Sequence, residues 1–437
     1  MTTYVLQRVR PLGDAEVDVT IAGGQIASID APGTANTAGA TVIDGTDCIL
    51  LPGFVDLHTH LREPGREEAE TVRTGSMAAA LGGFTAVHAM ANTDPVADTA
   101  GVVEQVWRLG REAGYVDVVP VGAVTVGLKG ERLAELGAMA DSAPRVRVFS
   151  DDGICVSDAL LMRRALEYVK AFDGVISQHA QEPRLTEQAQ MNESELSGVL
   201  GLKGWPAVAE ESIISRDVLL AEHVGSRVHI AHVSTAGSVD IVRTAKARGI
   251  QVTAEVTPHH LALTETEAVG YNPVFKVNPP LRGELDREAV RAALADGTID
   301  CVATDHAPHP SEAKEVEWQS AAFGMTGLET ALSVVVDTMV NTGLLDWAGV
   351  ADRMSYAPAR IARLADHGRP IEVGEPANLV LVDPRSTRVV EATDTASRSR
   401  NNPFVGRQLP ASVLATFLRG RATVLNGELV APRGDKA

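Results

Sequence analysis

Eight short apolar segments, separated by loops and helical patterns, occupy the chain between residues 53 and 369. Helical patterns include residues 66–82, 99–113 and about 157–171. Repeated strand and helix units favour a parallel sheet, and eight of them predict an α/β fold of the TIM-like (β/α)8 barrel type. An open doubly wound sheet is the alternative, but no glycine-rich phosphate loop opens the first helix. The strand-like segments are 54–61, 84–90, 116–123, 146–150, 175–179, 228–232, one ending near 255, and 299–305.

The two ends of the chain carry a different pattern of short alternating strands and tight turns. Gly23-Gly24 and Asn426-Gly427 each separate two strand-like runs and predict two-residue hairpins. We therefore predict that residues 1–52 and 370–437 pair into one small β-sandwich domain, and that residues 53–369 form the barrel. A chain of 437 residues is long enough for both.

The composition is typical of a globular protein and argues against membrane-spanning and nucleic-acid-binding proteins. Hydrophobic residues make up 45% of the chain and charged residues 22%, as in ordinary globular proteins, and no apolar run reaches the ~18 residues that span a bilayer. The formal net charge of −18 argues against a nucleic-acid partner, and an anionic substrate would need locally placed arginines or metal ions. The N-terminal sequence has no secretory signal and the three cysteines are scattered, so we predict a cytoplasmic protein without disulfides.

A His-x-His pair lies at the end of the first central strand. Because alternate side chains of a strand point the same way, His58 and His60 are predicted to face one side, and Arg62 two residues further is the candidate for binding an anion. Barrel enzymes build their active sites at the C-terminal ends of strands, and paired imidazoles are typical zinc ligands. Three later strands end in further candidate ligands, namely His179, His232 and Asp305.

Six motifs, in this order along the chain, resemble those of class I dihydroorotases in the amidohydrolase superfamily. The fourth strand ends in two aspartates instead of the lysine that many superfamily members carboxylate to bridge two metal ions. The resemblance covers nearly the whole chain, and residues 58–65 are its most specific signature. The matching segments are His58-Thr59-His60-Leu61-Arg62-Glu63-Pro64-Gly65, Ala89-Met90-Ala91-Asn92-Thr93, Phe149-Ser150-Asp151-Asp152-Gly153, Thr257-Pro258-His259-His260, Lys276-Val277-Asn278-Pro279-Pro280-Leu281-Arg282 and Ala303-Thr304-Asp305-His306-Ala307-Pro308-His309.

The resemblance implies a zinc-dependent cyclic amidohydrolase with two Zn²⁺ ions in each subunit, bridged by Asp152. Asp151 stands as the alternative bridge, because neighbouring strand residues face opposite ways and a loop can present either. Manganese or cobalt in place of zinc, and one ion in place of two, are compatible with the same residues. By position the ligands are His58, His60, Asp152, His179 and His232, with Asp305 near the first metal.

The same resemblance implies the reversible cyclisation of N-carbamoyl-L-aspartate to L-dihydroorotate and water, a step of pyrimidine (UMP) biosynthesis. Metal ions would activate a water molecule, and Asp305 would act as general acid and base. A guanidinium suits a planar carboxylate, so an arginine is expected to bind the substrate carboxylate. The implied substrate contacts are Arg62, Asn92 and His309 for the carboxylate, Asn278 with the backbone of Phe323 and Gly324 for the ring amides, and His60.

Two other functions compete with this interpretation. A hydantoinase, dihydropyrimidinase or allantoinase would share the fold, but those enzymes usually carry the bridging lysine that this sequence lacks. A non-catalytic scaffold for aspartate transcarbamoylase would be expected to have lost ligands, and all of them are present here. Association with aspartate transcarbamoylase, and assembly into a homo-oligomer, are both compatible with the sequence. Residues 310–322 are interpreted either as a lid over the site or as a solvated loop.

Overall fold

A computed structural model describes residues 2–432 and shows an α/β protein built largely on parallel strands. Met1 and residues 433–437, which the predicted terminal domain includes, lie outside this part. The strands are β1 (Tyr4–Pro11), β2 (Val17–Ala22), β3 (Gln25–Asp30), β4 (Thr41–Asp44), β5 (Ile49–Pro52), β6 (Phe54–Thr59), β7 (Phe84–Ala89), β8 (Asp117–Pro120), β9 (Val148–Phe149), β10 (Val175–Gln178), β11 (Met191–Asn192), β12 (Gly204–Trp205), β13 (Val228–Ile230), β14 (Val252–Val256), β15 (Cys301–Val302), β16 (Leu379–Val389), β17 (Gln408–Leu418), β18 (Arg421–Leu425) and β19 (Glu428–Leu429).

The helices alternate with the central strands, as the sequence predicts, and short 3₁₀ and π-helical turns accompany them. The α-helices are α1 (Val72–Leu81), α2 (Ala100–Ala113), α3 (Leu136–Asp141), α4 (Ala159–Val169), α5 (Glu195–Leu200), α6 (Val208–Val224), α7 (Ala236–Ala247), α8 (Pro258–Ala262), α9 (Glu284–Asp296), α10 (Ser311–Lys314), α11 (Ala331–Val335), α12 (Trp347–Ala351) and α13 (Ala357–Ala362). Within residues 2–432, none of these helices has the length and apolar character needed to cross a bilayer.

The predicted helix over residues 66–82 is wrong at its start. Helix α1 begins at Val72, because the Thr71 side chain accepts a hydrogen bond from the Thr74 backbone N–H and the Thr71 backbone N–H donates to the Thr74 hydroxyl. This reciprocal capping box satisfies backbone N–H groups that have no partner within the first helical turn. Residues 67–69 form a turn ahead of the Thr71 cap.

Strands from the two ends of the chain combine in one nine-stranded sheet. Its main order is β19-β18-β17-β16-β5-β1-β2-β3, and β4 pairs with β1. The junction is antiparallel, with β5 of the N-terminal segment beside β16 of the C-terminal segment. Both predicted hairpins are confirmed: Gly23-Gly24 joins β2 to β3, and Asn426-Gly427 joins β18 to β19. All four turn residues have positive φ, as a type I′ turn requires.

The eight central strands form two parallel sheets whose edges meet. Strands β6, β7 and β8 make one sheet, and β9, β10, β13, β14 and β15 make the other. A parallel bridge between Gly122 and Phe149 joins one pair of edges, and another between Thr59 and His306 joins the second pair. All eight predicted strands are therefore present, and their C-terminal ends lie on one side because the strands run parallel.

His88 on β7 is a buried imidazole that a pH titration can detect. Its Nδ1–H donates to the Asp56 carbonyl at 2.9 Å, and burial lowers its pKa to about 4. Unfolding returns a histidine to a pKa of about 6.5. Between these pH values the unfolded state binds the extra proton, so stability falls as pH drops from about 6.5 to 4.

We expect His88→Asn to reduce the slope of unfolding free energy against pH in this range. The reduction is at most about 1.4 kcal/mol per pH unit, which is the effect of one proton. The asparagine amide can still donate a hydrogen bond to the Asp56 carbonyl, but it does not titrate. Urea unfolding of both proteins at pH 7, 6 and 5 measures the difference. His223→Asn, at an exposed imidazole on α6, is the matched control with an unchanged slope expected. Equal slopes in wild type and His88→Asn would contradict the prediction.

Candidate metal centre and active site

The C-terminal ends of the parallel strands bring six buried side chains together. Two groups of three have their ligand atoms within 4.8 Å of one another, and the same aspartate belongs to both groups. At two of the six positions the backbone has a positive φ, +33° at His232 and +45° at Asp305, which L-residues rarely adopt and which costs about 1–3 kcal/mol each. The groups are His58, His60 and Asp152, and Asp152, His179 and His232; Asp305 is the sixth side chain.

Asp152 lies at the centre of this cluster. Its Oδ1 is 3.2 Å from His58 Nε2, 3.2 Å from His179 Nδ1 and 3.3 Å from His232 Nε2. Its Oδ2 is 3.3 Å from His60 Nε2. Burial alone would raise the pKa of Asp152, but the facing imidazoles, His58 foremost, hold it well below its usual range. A single ionised carboxylate therefore faces all four imidazoles.

Asp151 points away from the cluster. Its Oδ1 accepts hydrogen bonds from the backbone N–H groups of Val124 at 2.8 Å and Thr125 at 3.0 Å, and Oδ2 accepts one from the Thr125 hydroxyl. The side chain thus ties the end of β9 to the neighbouring loop. Of the two adjacent carboxylates, only Asp152 lies among the imidazoles.

Asp305 follows the C-terminal end of β15 and faces the same histidines. Its Oδ1 is 3.1 Å from His60 Nε2 and 3.5 Å from His58 Nε2. Burial raises the pKa of Asp305, but the attraction of these imidazoles outweighs it and the pKa is about 2. The carboxylate is therefore ionised at neutral pH and is able to accept a proton.

The outer nitrogens of three imidazoles contact side-chain oxygens. His58 Nδ1 is 2.8 Å from Glu255 Oε1, and His179 Nε2 is 2.7 Å from Gln181 Oε1. These contacts direct the second nitrogen of each ring inward. His60 is held in the same way, with Nδ1 3.0 Å from the side-chain oxygen of Asn92.

The donor set fits a divalent cation. His58 Nε2 is buried and makes no hydrogen bond of acceptable geometry, although Asp152 is near. A buried polar atom without a partner requires an explanation, and an ion shared with the carboxylate provides one. Imidazole nitrogens with carboxylate oxygens are a typical ligand set for zinc.

The predicted carboxylate-binding residues border this cluster. Arg62 is buried, its Nε–H donates to the Pro308 carbonyl at 3.1 Å, and burial lowers its pKa only to about 10, so it stays charged at neutral pH. Burial, followed by the nearby Arg62 charge, lowers the pKa of His309 to about 3. Asn92 already uses its oxygen to hold His60, and its amide is 3.4 Å from the Asp152 carbonyl.

The predicted ring-binding groups differ in whether their polar atoms already have hydrogen-bond partners within the protein. Asn278 Oδ1 is buried and has no hydrogen-bond partner among residues 2–432, while its amide donates to Gln181 Oε1 at 3.1 Å. Gly324 N–H, by contrast, donates to a backbone carbonyl at 2.9 Å, and the Phe323 carbonyl accepts from His309 Nε2 at 2.8 Å. A Cβ added to Gly324 would lie 2.8 Å from that Nε2, so only glycine fits there.

Residues 310–322 are anchored by a buried lysine. Lys314 Nζ donates to the carbonyls of Lys276 at 3.2 Å, Ala322 at 2.8 Å and Gly324 at 3.0 Å. Trp318 in the same segment is also buried. These contacts exclude a loop that is solvated along its whole length.

Three residues beside the site were not assigned a role from sequence. Gln181 follows His179 by two positions, but β10 ends at Gln178, so strand alternation gave no signal for it. Glu255 is a fully buried carboxylate on a strand, and such groups are rarely unpaired. Asn401 had no such signal: its Oδ1 accepts from His309 N at 3.2 Å, and its amide donates to the carbonyls of Ala307 at 3.0 Å and Gly324 at 3.1 Å.

Comparison with known proteins identifies the family. The family described as Dihydro-orotase-like matches residues 47–238. A dihydroorotase from Streptomyces coelicolor is 66% identical over 430 residues, which is 98% of this chain and 100% of the relative. The chain belongs to the dihydroorotase family. A dihydroorotase from Mycobacterium tuberculosis is 58% identical, over 98% of this chain and 99% of its own.

Solved structures that share the fold include a hydantoinase and a dihydropyrimidinase. An L-hydantoinase from Arthrobacter aurescens superposes with a TM-score of 0.87 at 24% identity, covering 98% of both chains. A dihydropyrimidinase from Brevibacillus agri superposes with a TM-score of 0.82 at 23% identity, covering 98% of this chain and 96% of its own. These similarities establish the fold shared with cyclic amidohydrolases, and the dihydroorotase relatives establish the family.

Proposed function

We propose that the protein catalyses the reversible cyclisation of N-carbamoyl-L-aspartate to L-dihydroorotate and water, in pyrimidine biosynthesis. The observation that carries the proposal is a buried, charged Arg62 beside a cluster of four imidazoles and two carboxylates. Dihydroorotate carries a carboxylate that neutral cyclic amides lack, and a guanidinium binds a carboxylate well. The dihydroorotase relatives over the whole chain support the same reaction.

We propose two zinc ions as the cofactor. His58 and His60 would hold the first, His179 and His232 the second, and Asp152 would bridge them, with Asp305 near the first ion. When bound, zinc supplies Lewis acidity that polarises the carbonyl under attack and lowers the pKa of water.

Asp305 would move the proton. In hydrolysis its carboxylate accepts the proton of the water that attacks the ring carbonyl, the carbon–nitrogen bond breaks, and the proton passes to the leaving nitrogen. In cyclisation the same carboxyl group takes the proton from the attacking nitrogen and gives it to the departing oxygen. The low pKa of Asp305 keeps it ionised and ready to begin hydrolysis.

Substrate orientation would come from the groups around this centre. Arg62, with Asn92 and His309, would bind the carboxylate, and His60 would contact the reacting group. Asn278 would accept a ring N–H through its unpaired Oδ1, and the backbone near Phe323 and Gly324 would complete the ring site. Residues 310–322, anchored through Lys314, would close over the substrate as a lid.

We also propose a closed (β/α)8 barrel over residues 53–369, since bridges join both pairs of sheet edges. The nine-stranded sheet would form the small β-sandwich domain of residues 1–52 and 370–437. Association with aspartate transcarbamoylase is compatible with catalysis, and the non-catalytic scaffold is the second candidate.

A substrate panel tests the proposed reaction. Zinc-loaded protein is expected to hydrolyse dihydroorotate and cyclise carbamoyl-aspartate, but to leave hydantoin, dihydrouracil and allantoin unchanged. If the protein hydrolyses one of the neutral rings but does not hydrolyse dihydroorotate, it belongs to the hydantoinase group. If no compound reacts, including after addition of aspartate transcarbamoylase, the scaffold function is favoured.

Asn401→Ala is expected to raise the KM for dihydroorotate by about tenfold, equivalent to about 1.4 kcal/mol, with a smaller change in kcat. The substitution removes one acceptor and two donors that hold the His309 and Gly324 segments. Steady-state kinetics measure the effect. Asn402→Ala is the matched control, because Asn402 Oδ1 accepts locally from Phe404 N, at 2.9 Å, and not from the His309 or Gly324 segment. An unchanged KM in Asn401→Ala would contradict the prediction.

A further inference from the structure

Glu255 lies at the centre of a series of buried hydrogen bonds beneath the metal cluster. Its Oε1 is 2.8 Å from His58 Nδ1, and its Oε2 is 3.0 Å from His229 Nε2. His229 Nδ1 in turn is 2.8 Å from the Thr253 hydroxyl. All these groups lie on β6, β13 and β14, and the two imidazoles and the carboxylate are almost completely shielded from solvent. The contacts therefore join the neighbouring strands β13 and β14 to β6 of the other parallel sheet.

His229, Glu255 and Cys301 also lie close enough to hold an ion, and they are the third such group within the described chain. Their bonding argues against that use. Both oxygens of Glu255 already face imidazole nitrogens. Burial raises the pKa of the Cys301 thiol well above its usual range, whereas a metal ligand must be a thiolate. The group is better explained as support for the cluster above it.

The direction of each hydrogen bond follows from the carboxylate. An ionised carboxylate only accepts, so His58 Nδ1 and His229 Nε2 carry the hydrogens that point at Glu255. In a neutral His229 ring, Nδ1 then accepts from the Thr253 hydroxyl at 2.8 Å. Metal binding requires a neutral His58 ring, and with its hydrogen on Nδ1 that ring presents the lone pair of Nε2 toward Asp152, which is 3.2 Å away.

We infer that Glu255, clamped by His229, is a positioning residue that fixes the ring orientation and tautomer of His58 for metal binding. The inference rests on the proposed metal site. His229 matters because it occupies the second carboxylate oxygen and keeps Glu255 from rotating away from His58. Loss of the groups that hold a metal ligand typically weakens metal affinity about 10–100-fold.

Zinc affinity of the folded protein is the first measurement. Competition with a chromophoric chelator is expected to give a Kd about 10–100-fold weaker for Glu255→Leu than for wild type. Glu255→Gln keeps an oxygen that accepts from His58 Nδ1, so it is expected to recover most of that affinity. His229→Leu removes the contact at Oε2 but leaves Oε1 with His58 Nδ1 and with the His232 backbone N–H, which donates to it at 3.4 Å. This variant is therefore expected to fall between wild type and Glu255→Leu.

The second measurement reports the hydrogen bond itself. In zinc-loaded protein with ¹⁵N-labelled histidine, an imidazole N–H bonded to a buried carboxylate gives a downfield proton resonance. We expect Glu255→Leu to remove the His58 resonance, and Glu255→Gln to retain it at a less downfield position. Asp18→Asn is the control, because Asp18 is a solvent-shielded carboxylate in the nine-stranded sheet that accepts from the backbone of Arg8 and Ala35. It is expected to lower stability while keeping the zinc Kd and the resonance.

The outcomes distinguish a failure of this inference from a failure of the proposed metal site. If wild type binds no zinc, the metal site fails and the inference fails with it. If wild type binds zinc and folded Glu255→Leu binds it equally well, the inference alone is overturned. If Glu255→Leu does not fold, Glu255→Gln and His229→Leu are compared with wild type instead. An unchanged zinc Kd and an unchanged His58 resonance in His229→Leu overturn the inference. A zinc affinity that is weaker in both variants than in wild type supports it.

Discussion

Asp305→Asn is expected to lower kcat for dihydroorotate hydrolysis by about 10²–10⁴-fold, the usual contribution of a positioned general base. The amide is nearly isosteric but cannot accept the proton of the attacking water. Because the four histidines and Asp152 remain, most of the bound zinc should be retained. Steady-state rates in both directions, together with zinc content, measure the effect. Hydrolysis and cyclisation should fall together, since one carboxyl group serves both.

Asp300→Asn is the matched control for this variant. Asp300 lies just before the other end of β15, where it pairs with Lys246 at 2.7 Å and accepts from Ala254 N at 2.8 Å. Its loss should cost stability with little change in kcat. An Asp305→Asn enzyme with normal zinc content and a kcat within tenfold of wild type would remove Asp305 from the proton-transfer role.

The convergence of the site was predictable because parallel strands bring their C-terminal ends to one edge. His58, His179 and Asp305 are far apart in sequence, yet each follows from a local rule, an apolar run ending in a polar side chain. The eight strands were predictable for the same reason. Neither inference required knowledge of a long-range contact.

Local rules fail where the backbone leaves a regular conformation. Strand β6 ends at Thr59, and Arg62 has a φ of +63°, so strand alternation does not determine where its side chain points. The resemblance favoured Asp152 over Asp151, but local geometry did not separate them, because both follow the two-residue strand β9 in a loop. Their different directions depend on the Val124 and Thr125 backbone, which only the folded structure brings near.

Contacts between distant segments were the least predictable part. Glu255 meets His58 across 197 residues, and Asn401 reaches His309 across 92. A buried glutamate in a strand indicates that some partner exists but does not indicate which one. Asn401 lies in an irregular segment before β17, where no periodic pattern distinguishes it from its neighbours.

The variants Asp152→Asn and Asp151→Asn are expected to differ sharply although the residues are adjacent. Asp152→Asn should weaken zinc binding at least about 100-fold, the upper end of the loss seen when a group supporting a ligand is removed. The carboxylate lies within 3.3 Å of all four imidazoles, so its charge acts on both halves of the cluster. Dihydroorotate turnover should be lost with the zinc. Chelator competition and zinc content after gel filtration measure the affinity.

Asp151→Asn should keep both zinc and turnover, because its carboxylate bonds to Val124 and Thr125 and not to the histidines. It should instead lose about 1–3 kcal/mol of unfolding free energy, the usual cost of disturbing a buried hydrogen-bonded group. Urea unfolding of the zinc-loaded protein measures that loss. The reverse pattern, with zinc lost in Asp151→Asn and kept in Asp152→Asn, would transfer the bridging role to Asp151. It would also require the loop after β9 to turn over when zinc binds, since the present contacts direct Asp151 away from every imidazole in the cluster.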